Sequence, residues 1–347
     1  MERVISYEEI PRSNGESIYL RNETDPRLYI SLLTKGYKIV DDILEADTST
    51  IYVTGYRQIY GFRTREDYVL ALDSEIQDTL KREGITKPKT IKFNVDDLYA
   101  YKYKLPFVLK NEKINGGREK FLIKTKEDYE NLINSIKLLE SDSLLLTAFN
   151  GKVKHLLAYN KILNSNYVVQ EYIETPSKYN TTVRLLTTPS SDLLYGSLKY
   201  KEAVQGEDNN TLLSYLLRSV YPLSTPSIVS NTLSGGNNIL IGASQYPNIE
   251  KALLKSHDIN SSSFEHLIQA AKAVHQEYKA SLGIICGFDF IYDREKEKWF
   301  MLEYHSKPMI GDYVKRQNIS YANKEERLIA DGRVRATALS LALRKNR

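Results

Sequence analysis

The chain has a single cysteine, Cys286, in 347 residues, which excludes an internal disulfide and any cysteine-based zinc site. It has no run of about 18 apolar residues, so no bilayer-spanning helix is expected. The opening MERVISYEEIPRSNGES carries acidic residues and no apolar stretch, so no secretory signal is expected there. Blocks of about five or six like charges are also missing, so a nucleic-acid arm is not expected. Instead, 48 Lys and Arg are mixed among 44 Asp and Glu, leaving a net charge of +4. Neither an internal repeat nor a low-complexity tract occurs. These absences lead to the expectation of a cytoplasmic protein with no nucleic-acid or membrane partner.

What is present has the balance of an ordinary globular protein, with 41% hydrophobic and 27% charged residues. The length suits two or three subdomains around a shared cleft. The first stretch alternates short apolar runs with helix-like segments: SIYL, PRLYISLLTKGYKIV, STIYVTG and YVLALDSEIQDTLKREG. That rhythm predicts a small α/β unit with parallel strands. Gly84, after Lys81 and Arg82, closes its last helix.

From Leu105 the pattern predicts a hairpin, PFVLK and EKFLIK, around the turn NEKINGGR. An amphipathic helix, KEDYENLINSIKLLE, follows, then HLLAYNKIL and the strand YVVQEYI. TTVRLLTT, LLYGSLKY, GIICGFDFIYD and KWFMLEYHS read as strands of an antiparallel sheet. Between them, Phe264, Leu267, Ile268, Ala271, Val274 and Tyr278 fall at helical spacing, with Ser262 and Glu265 in the form of a capping box. The tail reads as one or two closing helices, and its apolar run Ala336–Leu343 suits either a core or an interface.

Four features carry chemistry. Lys110 ends an apolar strand beside the Gly116-Gly117 turn, where a point charge and unobstructed backbone N–H groups suit phosphate oxygens; an ordinary hairpin fits the same residues. Val168 to Glu174 forms an apolar strand running into an acidic connector, which suits adenine and ribose, or simply a solvated turn. Arg184, Lys199 and Lys201 bring cations to adjacent strands, either to compensate phosphate or to pair with carboxylates. Finally, Asp289 sits inside an apolar strand, where a carboxylate is costly unless paired or metal-bound. Glu303 and His305, two residues apart on the next strand, share a face. Asp289 and Glu303 can converge on Mg²⁺ or pair with Arg or Lys.

The order of these features resembles the ATP-grasp superfamily, especially carboxylate–amine ligases of the D-alanine–D-alanine ligase, glutathione synthetase and ribosomal-protein glutamate ligase types. Gly84-Ile85-Thr86-Lys87-Pro88-Lys89-Thr90 matches a GI-x-x-P-x-T segment, and Pro106 to Lys110 with Gly116 and Gly117 matches P-x-V-x-K and its glycine loop. Gln170-Glu171-Tyr172-Ile173 matches the hinge, Arg184 the arginine strand, and Asn231 to Gly236 the N-x-x-x-G-G segment. Asp289 and Leu302 to Pro308 match the closing strands. The likeness runs from Gly84 to Pro308. It departs at His305, where the family has Asn, and at Asp73-Ser74-Glu75, where the family places a lysine.

The resemblance implies an α/β (α+β) ATP-grasp fold: a small parallel N-terminal domain (1–90), then two α+β lobes clasping ATP (91–172 and 173–347). Lys110, Gly116 and Gly117 are implied to bind phosphates. Gln170, Glu171, Tyr172 and Ile173 are implied to hold adenine, and Glu174 ribose. Arg184 and Lys199 are implied to act on the transferring phosphoryl group, and Asn231, Gly235 and Gly236 to lie near the acceptor. The metal, Mg²⁺ with Mn²⁺ as its alternative, is implied at Asp289, Glu303 and His305. The implied activity is ADP-forming ligation of a carboxylate to an amine, each a small molecule or peptide, in a chain that can form a homo-oligomer. A kinase using the same nucleotide site, and a nucleotide-binding protein with a degenerate site, are the alternatives.

Overall fold

The computed structural model describes residues 5–20, 25–40, 42, 45–47, 49–53, 65–111, 120–141, 167–175, 179–188, 193–202, 237–241, 247–305 and 324–345. The expected Gly116-Gly117 turn, the HLLAYNKIL segment and Asn231 to Gly236 lie outside them. Among the described residues no helix is long and apolar enough to cross a membrane.

The N-terminal unit contains β1 (Ser17–Tyr19), α1 (Pro26–Thr34), β2 (Lys38–Val40) and β3 (Ile51–Tyr52); α2 (Arg65–Arg82) follows, and its Ile76 and Leu80 pack with Phe264 and Leu267 rather than with these strands. The three strands are parallel in the order β2-β1-β3, as the alternation of runs predicts. Asp25 caps α1 by accepting from the Arg27 N–H at 3.1 Å, and Pro26 takes the first helical position, where its missing N–H costs nothing. One stripe of α1, Leu28 and Leu32, is fully buried. At the end of α2, Gly84 adopts φ +71°. The Ile85 N–H reaches the Leu80 carbonyl at 2.9 Å and the Gly84 N–H reaches Lys81 at 3.0 Å. That pairing satisfies carbonyls the helix leaves open, and the left-handed backbone explains the glycine.

The middle unit is a four-stranded antiparallel sheet in the order β4-β7-β5-β6. Its elements are β4 (Thr90–Lys92), α3 (Val95–Tyr99), β5 (Phe107–Asn111), β6 (Lys120–Ile123), α4 (Lys126–Ser141) and β7 (Tyr167–Glu171). Strand alternation sends Phe107, Leu109, Ile123 and Val169 into one core with Tyr129, Leu132 and Ile136 of α4. Val108, Lys110, Val168 and Gln170 consequently share the opposite face.

The third unit is a five-stranded antiparallel sheet in the order β10-β9-β8-β11-β12. Its strands are β8 (Tyr179–Thr187), β9 (Leu193–Glu202), β10 (Asn237–Ile241), β11 (Cys286–Asp293) and β12 (Lys298–His305). Helices α5 (Pro247–Ser256), α6 (Ser261–Glu277), α7 (Lys279–Leu282) and α8 (Lys324–Lys345) complete it. The helical stripe Phe264, Leu267, Ala271 and Val274 of α6 buries against Val183, Leu185, Phe288 and Phe290. Each large side chain there contributes about 1.5–3 kcal/mol. The capping-box expectation is corrected: Asn260, not Ser262, caps α6, and its side chain accepts from the Ser262 N–H at 2.9 Å. Gly196 of β9 lies on this crowded face, where a Cβ would stand 2.9 Å from Ile241 Cγ1 and 3.0 Å from the Ile241 carbonyl.

The tail is one helix. Ala336, Ala338, Leu339 and Leu343 of α8 pack with Ile5, Ile18, Leu28 and Leu32 of the N-terminal unit, so the Ala336–Leu343 run faces a core. The Gly84–Thr90 connector joins the two antiparallel sheets: the Met301 N–H donates to the Thr86 carbonyl at 2.8 Å, and the Glu171 N–H to Lys89 at 2.8 Å.

His275 of α6 is fully buried beneath β8. Its Nε2 lies 2.5 Å from the Gly283 carbonyl, which can only accept, so Nε2 carries the proton and Nδ1 accepts from Thr187 Oγ1 at 2.8 Å. Burial pushes the imidazole down to about 4, and the native state therefore keeps it neutral while the unfolded chain takes up a proton. This site costs no stability above the unfolded value of about 6.5, and stability falls below it, by about 2 kcal/mol between pH 6.5 and 5. His275→Gln should flatten the difference between urea midpoints at pH 7 and pH 5; an unchanged difference would assign the acid limb to other groups.

Candidate active site

The polar face of the five-stranded sheet is set by register. Asp289 of β11 is paired with Arg184 of β8 on one side and Glu303 of β12 on the other, and Arg184 is paired with Ser197 of β9. Directly paired residues share a face, so four strands contribute one polar row. Two residues along, Thr182, Lys199 and Asn238 form a second row across β8, β9 and β10. The intervening residues Val183, Leu185, Leu198, Phe288 and Phe290 enter the core beneath.

A β-bulge makes this arrangement possible on β12. Asp289 pairs with Glu303, but Phe290 pairs with Met301, leaving Leu302 as an extra residue. Met301 and Glu303 would share a face in a regular strand. The bulge reverses the phase, so Met301 is fully buried while the Glu303 side chain retains 45% exposure. His305, two residues on, joins Glu303 on the polar face as the spacing predicts.

The side chains meet closely. Arg184 grips Asp289 with both arms of its fork: Nε donates to Oδ1 at 2.5 Å and Nη2 to Oδ2. Lys199 Nζ stands 3.9 Å from Asp289 Oδ1. His305 Nε2 lies 3.6 Å from Asp289 Oδ2, 3.5 Å from Glu303 Oε1 and 3.3 Å from Arg184 Nη2. Ligand atoms of Asp289, Glu303 and His305 all fall within 4.8 Å of one another. The two carboxylates supply the oxygen donors that Mg²⁺ takes, and the imidazole supplies a nitrogen. Thus the residues fit a divalent cation.

Electrostatics explains why Asp289 tolerates burial. Desolvation alone would push its carboxyl up, but the charges of Arg184 and Lys199 hold it well below the usual carboxylate range. Burial also works against charge on His305, yet the hydrogen bonds and charges of Asp289 and Glu303 outweigh it and raise the imidazole to about 9. His305 therefore contributes stability that is complete below about pH 6.5 and lost as pH rises through about 9. Three cations face two carboxylates, an excess of positive charge at the bottom of a sheet face.

The remaining expected site residues lie on the four-stranded sheet. Lys110 is on β5, on the face opposite the aromatic core, together with Val168 and Gln170. The buried Gln170 amide donates to Thr90 Oγ1 at 2.9 Å, so that side chain joins β7 to β4. Ile173 is buried and Tyr172 half-buried. The Glu171 carboxylate accepts from the Lys89 N–H at 3.3 Å and stands 3.7 Å from Lys296 Nζ of the β11–β12 turn. Glu174 pairs with Lys124 at 3.1 Å. Gly116, Gly117, Asn231, Gly235 and Gly236 lie outside the described residues.

Sequence reading did not single out Ser197, Asn238 or Lys296. Ser197 donates to the Asn238 side-chain oxygen on the polar face, and period-two counting from Lys199 would have found Ser197. Lys296 reaches Glu171 from a charged turn, and no local pattern distinguishes it from its solvated neighbours.

Asp289→Asn leaves three cations opposed by Glu303 alone. Removing one member of such a buried pair should lower the unfolding free energy by about 3 kcal/mol in urea titrations. The His305 ring resonances should also titrate below about 9 in this variant; an unmoved NMR titration would mean that Glu303 alone sets the imidazole.

No family model and no curated protein matches the chain. Solved structures similar to it include D-alanine–D-alanine ligase from Bacillus anthracis complexed with ATP, 12% identical over 96% of this chain and 99% of that one, with a TM-score of 0.39. The ATP-grasp ligase PsnB complexed with a minimal precursor is 8% identical over 94% of this chain and 78% of its own length, TM-score 0.38. The biotin carboxylase domain of the Hydrogenobacter thermophilus 2-oxoglutarate carboxylase is 14% identical over 76% of this chain, TM-score 0.38, and the chain spans 46% of its length. Of these three, PsnB is the one described as an ATP-grasp ligase.

Proposed function

We propose that this chain is an ATP-dependent carboxylate–amine ligase that forms an amide or peptide bond through an acyl phosphate and releases ADP. The observation that carries the reading is the polar row Arg184–Asp289–Glu303 with Lys199 and His305 beside it. A part-buried face with more cations than carboxylates suits a polyphosphate and a transferring phosphoryl group. The ordered motifs from Gly84 to Pro308 add the resemblance to a superfamily that does this chemistry.

In this reading Lys110 neutralises the α- and β-phosphates, and the Gly116-Gly117 turn covers them. The backbone from Gln170 to Ile173 lies along adenine, and Glu174 exchanges its Lys124 partner for ribose hydroxyls. Asp289 and Glu303 would hold Mg²⁺, which would supply neutralisation of phosphate charge and orientation of the transferring group. A substrate carboxylate oxygen bonds to the γ-phosphorus while the bond from that phosphorus to the β–γ bridging oxygen breaks, giving acyl phosphate and ADP. Arg184 can move from Asp289 to the phosphoryl oxygens because a guanidinium fork matches both groups. Lys199 adds a second positive charge to the same oxygens. The amine then attacks the acyl carbon, loses a proton, and inorganic phosphate departs. No nucleophilic side chain is required.

The three units, 1–90, 91–172 and 173–347, then serve as acceptor-binding domain, glycine-loop lobe and metal-bearing lobe. Asn231, Gly235 and Gly236 lie near the acceptor. The substrates are small or peptidic carboxylates and amines, and the protein acts in the cytoplasm, as a monomer or homo-oligomer.

The test is ATP turnover with Mg²⁺ and hydroxylamine in the presence of pooled amino acids, dipeptides and small carboxylic acids. Hydroxamate matching ADP is the expected result. Lys199→Met should reduce its rate by about 10²–10³, the usual cost of removing one preorganised charge-stabilising group. ADP with a new phosphate ester would instead establish a kinase, and nucleotide binding without turnover would establish a binding protein.

A further inference from the structure

The candidate metal face differs chemically from an all-oxygen magnesium site, and the difference lies at His305. Its Nε2 is directed between two carboxylates, 3.6 Å from Asp289 Oδ2 and 3.5 Å from Glu303 Oε1. Adjacent ligand atoms on one ion bound at about 2.1 Å stand about 3 Å apart. All three ligand atoms lie within 4.8 Å of one another, so side-chain shifts of about one to two ångström bring them onto one centre. A second observation marks the same point. Arg184 Nη2 donates to Asp289 Oδ2 and stands 3.3 Å from His305 Nε2, so an ion bound at this point would displace the guanidinium and release the Nε2 proton to solvent.

Magnesium takes oxygen donors, keeps its waters and gains little from imidazole. Divalent ions of the first transition row bind nitrogen more strongly, and their affinity for a mixed nitrogen–oxygen site exceeds that of magnesium. Resting on the reading of this face as a metal–nucleotide site, we propose that His305 is its third protein ligand and selects a first-row transition ion, with Mn²⁺ as its representative, over Mg²⁺. The β-bulge at Leu302 supports the assignment, since it brings Glu303 and His305 together to the face that carries Asp289. Manganese also accepts phosphate oxygens, so the selection leaves nucleotide binding intact.

The test uses the full chain with Mn²⁺ and ADP, read by electron spin-echo envelope modulation. Nitrogen modulation that changes when the protein's histidines carry ¹⁵N, and that disappears in H305N, is the expected result. The ratio of Mn²⁺ to Mg²⁺ affinity, measured by competition, should fall about ten-fold in the same variant. Bound Mn²⁺ whose modulation ignores the histidine label overturns the proposal using the unmutated chain, whether or not H305N folds. So does an affinity ratio unchanged in folded H305N. Calorimetry with ADP separates the two levels: ADP binding without histidine modulation removes only the ligand assignment. Absence of ADP binding with either ion removes the nucleotide-site reading as well.

Discussion

The bidentate contact between Arg184 and Asp289 makes the polar face of the five-stranded sheet possible. A carboxylate placed inside the strand Gly287-Phe288-Asp289-Phe290 carries a desolvation cost that Arg184 on the adjoining β8 and Lys199 on β9 beyond it offset. Once that pair is fixed, β8 and β11 have their register, and the register assigns the alternate residues to the core. Glu303, His305 and Lys199 then gather around a charge that is already compensated. The same contact therefore specifies both strand pairing and the electrostatic character of the sheet face.

The expected site residues are divided between the two antiparallel sheets. The four-stranded sheet presents Lys110 and the strand leading to Glu174, while the five-stranded sheet presents the carboxylates and their cations. They are joined by a short connector, Gly84 to Thr90, whose backbone bonds to both. Lys296 adds a charged contact from the β11–β12 turn to Glu171. Change in the angle between the sheets would thus be concentrated in few bonds, close to the segment proposed to hold adenine.

Much of this was legible in sequence because strand alternation and helix periodicity are local. The parallel run of the first unit, the hairpin strands around Lys110 and the shared face of Glu303 and His305 follow from spacing alone. The α6 cap was misread because Asn260 precedes three serines, and each can accept from a nearby N–H. The bulge was invisible, since Met301 and Glu303 have the same parity and only pairing with Phe290 and Asp289 shows that they face opposite ways. The Arg184–Asp289 contact joins residues 105 apart, so sequence could name both partners and leave open whether they meet. The destination of Ala336 to Leu343 was similarly open, because an apolar helix run looks alike in a core and at an interface.

The position of α8 also bears on the order in which the chain can acquire its structure during synthesis. The Ile5 N–H donates to Thr337 Oγ1 at 3.0 Å, and Ile18, Leu28 and Leu32 share a core with Val334, Leu339 and Leu343. A ribosome delivers the first of these groups more than 300 residues before the second. The three-stranded parallel sheet therefore emerges with one side of its core uncovered, at a stage when long-range contacts are still unavailable. Its completion falls to α8, so a unit that precedes both antiparallel sheets in sequence is finished only after both have been made.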